Sequence, residues 1–303
     1  MKAEPMLSPQ SPGFEASLVE APGRRAPRRS GFVATMRLEV AEALRAKWFL
    51  FYSLVFFGLV AVMLVFGLTE SRVMGFTGLS RLLVTYTQLA MAILPVFVLI
   101  STVRSLAGDR EAGVFEYMLA LPVGIGAWYG GRLIGRFLVT ALPVVLAVLI
   151  AIGYGAARGV AVPWRELGLE LGLLVTLVWC FVGIAFLISA LSRSTDTAQT
   201  AAFLIWLTLV LALDLVLLGL MIRGQAPVET IVGVALANPL QVFRTASMLI
   251  FDPQLVLLGP TAYVILDLFG RTGFVVWAFA YPIFLGAMAA GLGYWIFRRA
   301  DLP

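Results

Sequence analysis

The chain has 303 residues, 61% apolar and only 13% charged, against about 45–50% and roughly 25% in ordinary soluble domains; a purely soluble fold is excluded and an all-α integral membrane protein is predicted. Its net charge is +5, it has no histidine, and its single cysteine is Cys180, which excludes an internal disulfide and a His/Cys metal cage. The two lysines, Lys2 and Lys47, are followed by alanine and tryptophan, so the chain has no G-x-x-x-x-G-K-[ST] loop with which to cradle ATP.

Residues 1–30 hold five of the fifteen prolines among Ser, Glu, Gly and Arg, too few bulky apolar groups to bury anything, and read as a disordered cytoplasmic tail. No apolar stretch follows their charges until residue 48, which speaks against a signal peptide. Residues 31–47, opened by Ser30 as N-cap, place Val33, Met36, Val40, Leu44 and Trp48 on one stripe at helical spacing, with Glu39, Glu42 and Arg45 elsewhere. This predicts an amphipathic interfacial helix; a plain extension of the first span is the other reading.

Residues 48–298 read as a six-helix transmembrane domain, with spans near 48–69, 82–103, 133–156, 168–191, 201–222 and 274–297, each long enough at 1.5 Å per residue to cross about 30 Å of hydrocarbon. With both termini in the cytoplasm, fifteen of the 22 basic residues lie inside and seven outside, as the positive-inside rule favours. Pro95, Pro143 and Pro282 fall within spans 2, 3 and 6 and are expected to kink them. Segment 223–273 is placed outside. Its apolar part, residues 255–269, is fifteen long, broken by Gly259-Pro260 and carries Asp267, which predicts short re-entrant or interfacial helices rather than a seventh span. Trp48, Trp128, Trp164, Trp277 and Trp295 lie near span ends and read as an interfacial belt.

Three features stand out for chemistry. Between spans 2 and 3, Asp109 and Glu111 suit a helix N-terminus, followed by the apolar Val114, Phe115, Met118 and Leu119 and closed by Pro122; spacing alone leaves a plain loop helix and a docking helix equally open. Asp214 is the fourteenth residue of span 5, where a carboxylate costs about 2.5–3.5 kcal/mol on insertion scales. It must face the bundle or a cavity, either as a gating contact or as a hydrogen-bonded lock to a neighbouring helix. Asn238-Pro239, with Arg244 beyond it, is an ordinary turn initiator or a contact for an extracytoplasmic partner. Arg136 sits close enough to a span end to snorkel.

The pattern Glu111-x-Gly113-x-x-Glu116-x-x-Leu119-x-x-Pro122, behind a basic amphipathic helix, resembles the permease subunits of ABC-2-type transporters. That family usually continues Pro-Val-Ser-Arg and then Gly-Lys, where this chain has Pro122-Val123-Gly124-Ile125 and Gly131-Arg132. Ser189 to Ser194, Leu213-Asp214-Leu215 and the run Leu236 to Arg244 are similar to the NosY-type branch, which serves nitrous-oxide reductase maturation. The resemblance covers roughly residues 32 to 300. It implies a homodimer in the bacterial inner membrane, bound to two copies of a cytoplasmic ATP-binding-cassette ATPase that hold ATP and Mg. A coupling helix at about 109–122 would meet that ATPase through Asp109, Glu111, Gly113, Phe115, Glu116, Leu119 and Pro122. Asn238, Pro239 and Arg244 would meet a periplasmic β-helical partner engaged in copper-site assembly. The chain itself is expected to be non-catalytic, to hold no cofactor or metal and to bind no nucleic acid.

The same family includes exporters of other small molecules and of lipids. A secondary transporter or channel would show paired interrupted helices in two related halves, and no such repeat is visible. An intramembrane hydrolase using Asp214 and Asp267 lacks both a glycine-rich intramembrane motif and a G-x-S-x-G elbow.

Overall fold

The computed structural model describes residues 28–67, 78–114, 123–157, 159, 162–216, 219, 227–251 and 260–299. Among them every regular element is helical: α1 (Arg28–Arg45), α2 (Lys47–Gly67), α3 (Gly78–Glu111), α4 (Ile125–Ala157), α5 (Trp164–Leu191), α6 (Thr195–Leu207), α7 (Val228–Ala237), α8 (Pro239–Phe251) and α9 (Pro260–Arg299). α6 continues into a π-helical turn, Thr208–Ala212. Five helices of the described residues are long and apolar enough to cross a membrane, Gln88–Glu111, Ile125–Ala157, Trp164–Leu191, Thr195–Val216 and Ile265–Arg299; the count is seven if two bent pairs are each one span, α1 with α2 (69°) and α7 with α8 (101°).

Within hydrocarbon, apolar side chains gain little by meeting each other, so helices pack where small residues let backbones approach. α5 is the spine built on this rule. A Cβ on Gly183 would lie 2.1 Å from the Gly286 carbonyl oxygen of α9, and one on Gly293 would lie 3.1 Å from the Leu187 Cα. Two aromatic donors secure the neighbours of that seam: Tyr129 of α4 donates its hydroxyl to the Ala290 carbonyl at 2.8 Å, and Trp179 donates Nε1 to the Ile283 carbonyl at 3.1 Å. On its other side α5 sends Ser189 into the last turns of α3. Its Oγ accepts from the Leu106 and Ala107 amides at 3.1 and 2.9 Å and donates to the Val103 carbonyl at 2.5 Å.

α1 crosses α4 by the same means. A Cβ on Gly131 would stand 2.7 Å from the Phe32 carbonyl oxygen, and one on Gly135 would stand 2.9 Å from the Glu39 Cβ. The ends of α3 and α5, the starts of α4 and α6, the end of α9 and all of α1 therefore gather at one end of the bundle, the charged end. α7 and α8 lie at the other.

Three expectations change. α1 starts at Arg28, so Ser30 is inside the helix and not its cap, while residues 1–27 lie outside the described residues. The covered face of α1 carries Gly31, Glu39 and Ala43: Glu39 is 3% exposed, whereas Glu42, Arg45 and, from the apolar stripe, Val33 and Leu44 are exposed. The glycine gap on α4 admits that face, and Arg132 and Arg136 neutralise Glu39, while Met36, Val40 and Trp48 of the stripe are half-buried. As expected, residues 260–269 form a short helical arm of their own, set off from the rest of α9 by a break at Gly270 (φ 64°, ψ 167°), a conformation suited to glycine; residues 252–259 lie outside the described residues. Trp128 is buried and stacks on Phe297 at 5.6 Å instead of joining an interfacial belt, while Trp164 and Trp295 are exposed at helix ends.

Gly183→Val should force α5 and α9 apart and lower stability by about 1–3 kcal/mol, the usual cost of overpacking, read as a lower thermal midpoint of the detergent-solubilised protein. Gly153→Ala, with open space around the new methyl, should be neutral or slightly stabilising.

Candidate functional site

The longest chain of polar contacts begins where α3 stops. Asp109 and Glu111 are not at a helix start but in the final turn of α3, which runs unbroken through both. Gly113 marks the stop: its φ is +66°, and its amide donates to the Arg110 carbonyl at 3.2 Å, beside the Ala112 amide on Gly108 at 2.9 Å. A left-handed residue just past the last turn is the common way to end a helix, and glycine takes it without strain. Phe115, Glu116, Leu119 and Pro122 lie outside the described residues.

Carboxylates at a helix C-terminus oppose its dipole, so Asp109 and Glu111 need partners from elsewhere. Asp109 pairs with Arg132 of α4. Glu111 reaches the start of α6, where its Oε2 accepts the Thr195 hydroxyl at 2.6 Å and the Thr195 amide at 3.0 Å. Glu111 lies past the apolar stretch of α3, and these two bonds, the hydroxyl's first, hold its carboxyl below the usual carboxylate range. Between them Arg110 points to the end of α5 and donates Nη1 to the Ser192 carbonyl at 2.7 Å, a cation at a helix C-terminus. Three consecutive residues thus hold three different helices.

The fan continues inward. Arg132 also binds Glu39 of α1, Nε to Oε2 at 2.8 Å, and donates Nη1 to the Ser105 carbonyl of α3 at 3.2 Å. The second Glu39 oxygen pairs with Arg136, so Arg136 is locked in the protein rather than snorkelling. The guanidiniums rest on aromatic faces, Arg132 5.0 Å from the Trp128 ring and Arg136 5.5 Å from that of Trp48.

At the far end, Asn238 stands at the 101° bend between α7 and α8. Its Oδ1 accepts the Leu240 amide at 3.0 Å, and its Nδ2 donates to the Leu209 carbonyl at 2.7 Å, inside the π-helical turn of α6. Two residues beyond that turn, Asp214 accepts from Gln241 Nε2, so the intramembrane carboxylate joins α6 to α8. Deeper in, Ser247 of α8 donates to Glu170 of α5 at 3.1 Å. Of the residues expected to face a partner, Asn238 is 1% exposed, Pro239 is buried and Arg244 is half-buried; the first two are turned into the bundle, because the Asn238 amide is spent on Leu209.

The sequence assigned no contact to Glu39, Arg132, Ser189, Thr195 or Gln241. The signal for the first two was present in Gly131-Arg132 and Gly135-Arg136, each arginine beside a glycine that opens the path to the one buried glutamate of α1.

The pattern of the ABC-2 family transporter proteins matches residues 33–302. The chain belongs to that family. This ABC-2 permease is similar to the "Probable ABC transporter permease protein NosY" of Stutzerimonas stutzeri, 28% identical over 229 residues that cover 71% of this chain and 80% of the relative. The protein of the same name from Pseudomonas aeruginosa is 29% identical over 226 residues, 71% of this chain and 81% of the relative. The chain is thus a multi-pass, NosY-like permease of the kind that associates with an ATPase subunit.

Glu39→Gln leaves Arg136 buried without a counter-charge and should cost about 3–5 kcal/mol, as breaking one side of a buried ion pair does; the paired Glu39→Met/Arg136→Met variant should lose less, and thermal unfolding of the purified protein decides. Asn238→Ala should cost about 1–3 kcal/mol through the orphaned Leu209 carbonyl, and Asn238→Asp, which keeps the acceptor for Leu240 but sets a carboxylate oxygen against that carbonyl in a buried site, should lose at least as much in the same assay.

Proposed function

We propose that this chain is the membrane half of an ATP-driven machine in which the coupling segment at about 109–122 takes up the motion of an ATP-binding-cassette subunit and the fan Asp109, Arg110, Glu111 spreads it to α4, α5 and α6. The fan carries the reading: a displacement of that segment pulls on the end of α3, and the end of α3 is tied to three helices by three neighbouring side chains. The NosY similarity supports it.

In this reading α2, α3, α4, α5, α6 and α9 are the six spans, and α7 with α8 forms a re-entrant pair on the outer side. The charged end, with α1 and the Arg298-Arg299 terminus, lies in the cytoplasm of a bacterial inner membrane, in keeping with the excess of basic residues there. Two copies pair through the bare face of α6, where Phe203, Leu204, Leu211 and Leu215 are exposed. Two copies of a cytoplasmic ATPase bind ATP and Mg; this chain performs no hydrolysis. Outward, α7 and α8 relay force to a periplasmic β-helical partner that serves copper-site assembly in nitrous-oxide reductase. Copper would be handled by the partners, since the missing histidine and the single, buried cysteine argue against a high-affinity copper site in this chain.

Affinity purification of the solubilised chain should bring along an ATP-binding-cassette subunit with vanadate-sensitive hydrolysis and a periplasmic repeat protein. Glu116→Arg or Leu119→Asp should abolish ATPase capture while leaving membrane insertion intact. A silent chain purified alone, or undiminished assembly and activity in both variants, would sink the proposal.

A further inference from the structure

Among α2, α3, α4 and α6 the charged end holds a cavity of about 390 Å³, at the small end of the range of ligand sites. Its wall has two chemistries. One part carries the guanidiniums of Arg104 and Arg136 and the amide of Gln199; another carries Phe51 and Ile100, and Trp48 joins them. Among the described lining residues there is no carboxylate. The acidic groups nearby are already engaged. Glu39 holds Arg132 and Arg136, Asp109 holds Arg132, and Glu111, which feels the charge of Arg104, is taken by Thr195. Glu42 acts on Arg136 only through its field. Arg104 is exposed, whereas Nε and Nη1 of Arg136 are buried and its charge is balanced by Glu39.

The depth of the cavity names its occupant. Arg104 follows the apolar stretch of α3, Trp48 opens α2 and Gln199 lies in the second turn of α6. Tryptophan and arginine at the ends of spanning helices mark the level of lipid headgroups. On the hydrocarbon side, Phe51 and Ile100 are 59% and 38% exposed. A free phosphate would satisfy the guanidiniums and leave that apolar wall unfilled, whereas a lipid fills both.

We propose that this cavity is a binding site for an anionic phospholipid, its phosphate drawn chiefly by the exposed Arg104 with Gln199 as a further donor, and its acyl chains running along Phe51 and Ile100. The site bridges the helices that Glu111 and Thr195 clasp: Gln199 lies one turn past Thr195 and Arg104 two turns before Glu111. A bound lipid therefore reinforces the α3–α6 clasp from the membrane side. The inference rests on the membrane-spanning fold and not on the identity of any partner.

The test is quenching of Trp48 in the full chain reconstituted in phosphatidylcholine vesicles, with acyl-brominated phosphatidylglycerol or acyl-brominated phosphatidylcholine as the probe. The Trp48 signal is isolated by subtracting the Trp48→Phe protein. Brominated phosphatidylglycerol should quench that component at markedly lower mole fraction, and Arg104→Gln should reduce the preference about fivefold, the worth of one basic side chain at an anionic surface. Arg104→Lys should retain most of it. Equal quenching by the two lipids overturns the proposal. So does relief of quenching by inorganic phosphate at constant ionic strength, which would assign the site to a soluble anion. Absence of quenching by either lipid also overturns it, since the cavity would then be covered by a second copy.

Discussion

Arg132 holds two carboxylates at once, Glu39 of α1 and Asp109 of α3, and the arrangement of the charged end follows from that double grip. Buried charges persist only when paired and hydrogen-bonded. Here two arginines and two acids balance, with Glu39 almost wholly covered. α1 cannot lift from α4 without stranding a guanidinium, and it cannot slide along α4 while Gly131 and Gly135 fit its backbone. The 69° bend into α2 then makes α2 follow wherever α1 is held. A helix that composition describes as floating in the interface is bolted to the third apolar span.

Two kinds of contact divide the bundle. α5, α9, α4 and α1 meet through glycines with backbones in touch, and such seams resist shear because no side chain can yield. α6 has little of this. It is held by Glu111 on Thr195, by Trp206 donating to the Ala92 carbonyl at 3.3 Å, by Asn238 on Leu209 and by Gln241 on Asp214. Polar bonds between helices in a membrane average about 0.6 kcal/mol, so these five, counting both Glu111 bonds, sum to an energy comparable with the roughly 1–3 kcal/mol by which one site usually biases another. α6 is latched rather than welded, and both of its ends are latched by residues that belong to other helices.

The lengths of the apolar runs made most of the bundle legible, because a membrane admits few alternatives to helices of about that length. The facing of α1 was not legible. Periodicity separates apolar from polar residues, but in lipid the apolar side is the exterior, and the burial of Glu39 depends on two glycines more than ninety positions away. Asp109 and Glu111 obeyed the rule that acids favour helix starts, but Glu111 does so at the start of α6 and not of its own helix; Gly113, whose backbone ends α3, was the local sign. Asp214 was legible as inward-facing from the cost of exposing it, whereas Gln241 as its partner was not. Asn238 read correctly as a turn residue, and its second bond escaped notice because nothing in the hydropathy pattern announces a π turn.

That π turn has a consequence for how the span is counted. A π turn closes each hydrogen bond over five residues where an α turn uses four, so Thr208–Ala212 takes in one residue more than the same turn of α-helix. Each residue swings a helix by about 100°, and all that follows the turn is rotated by that step. Removing one residue there would leave the length, hydropathy and composition of the span nearly unchanged, yet Asp214 would point a quarter-turn or more away from Gln241. The aim of Asp214 is a matter of arithmetic along the chain, decided before its chemistry comes into play.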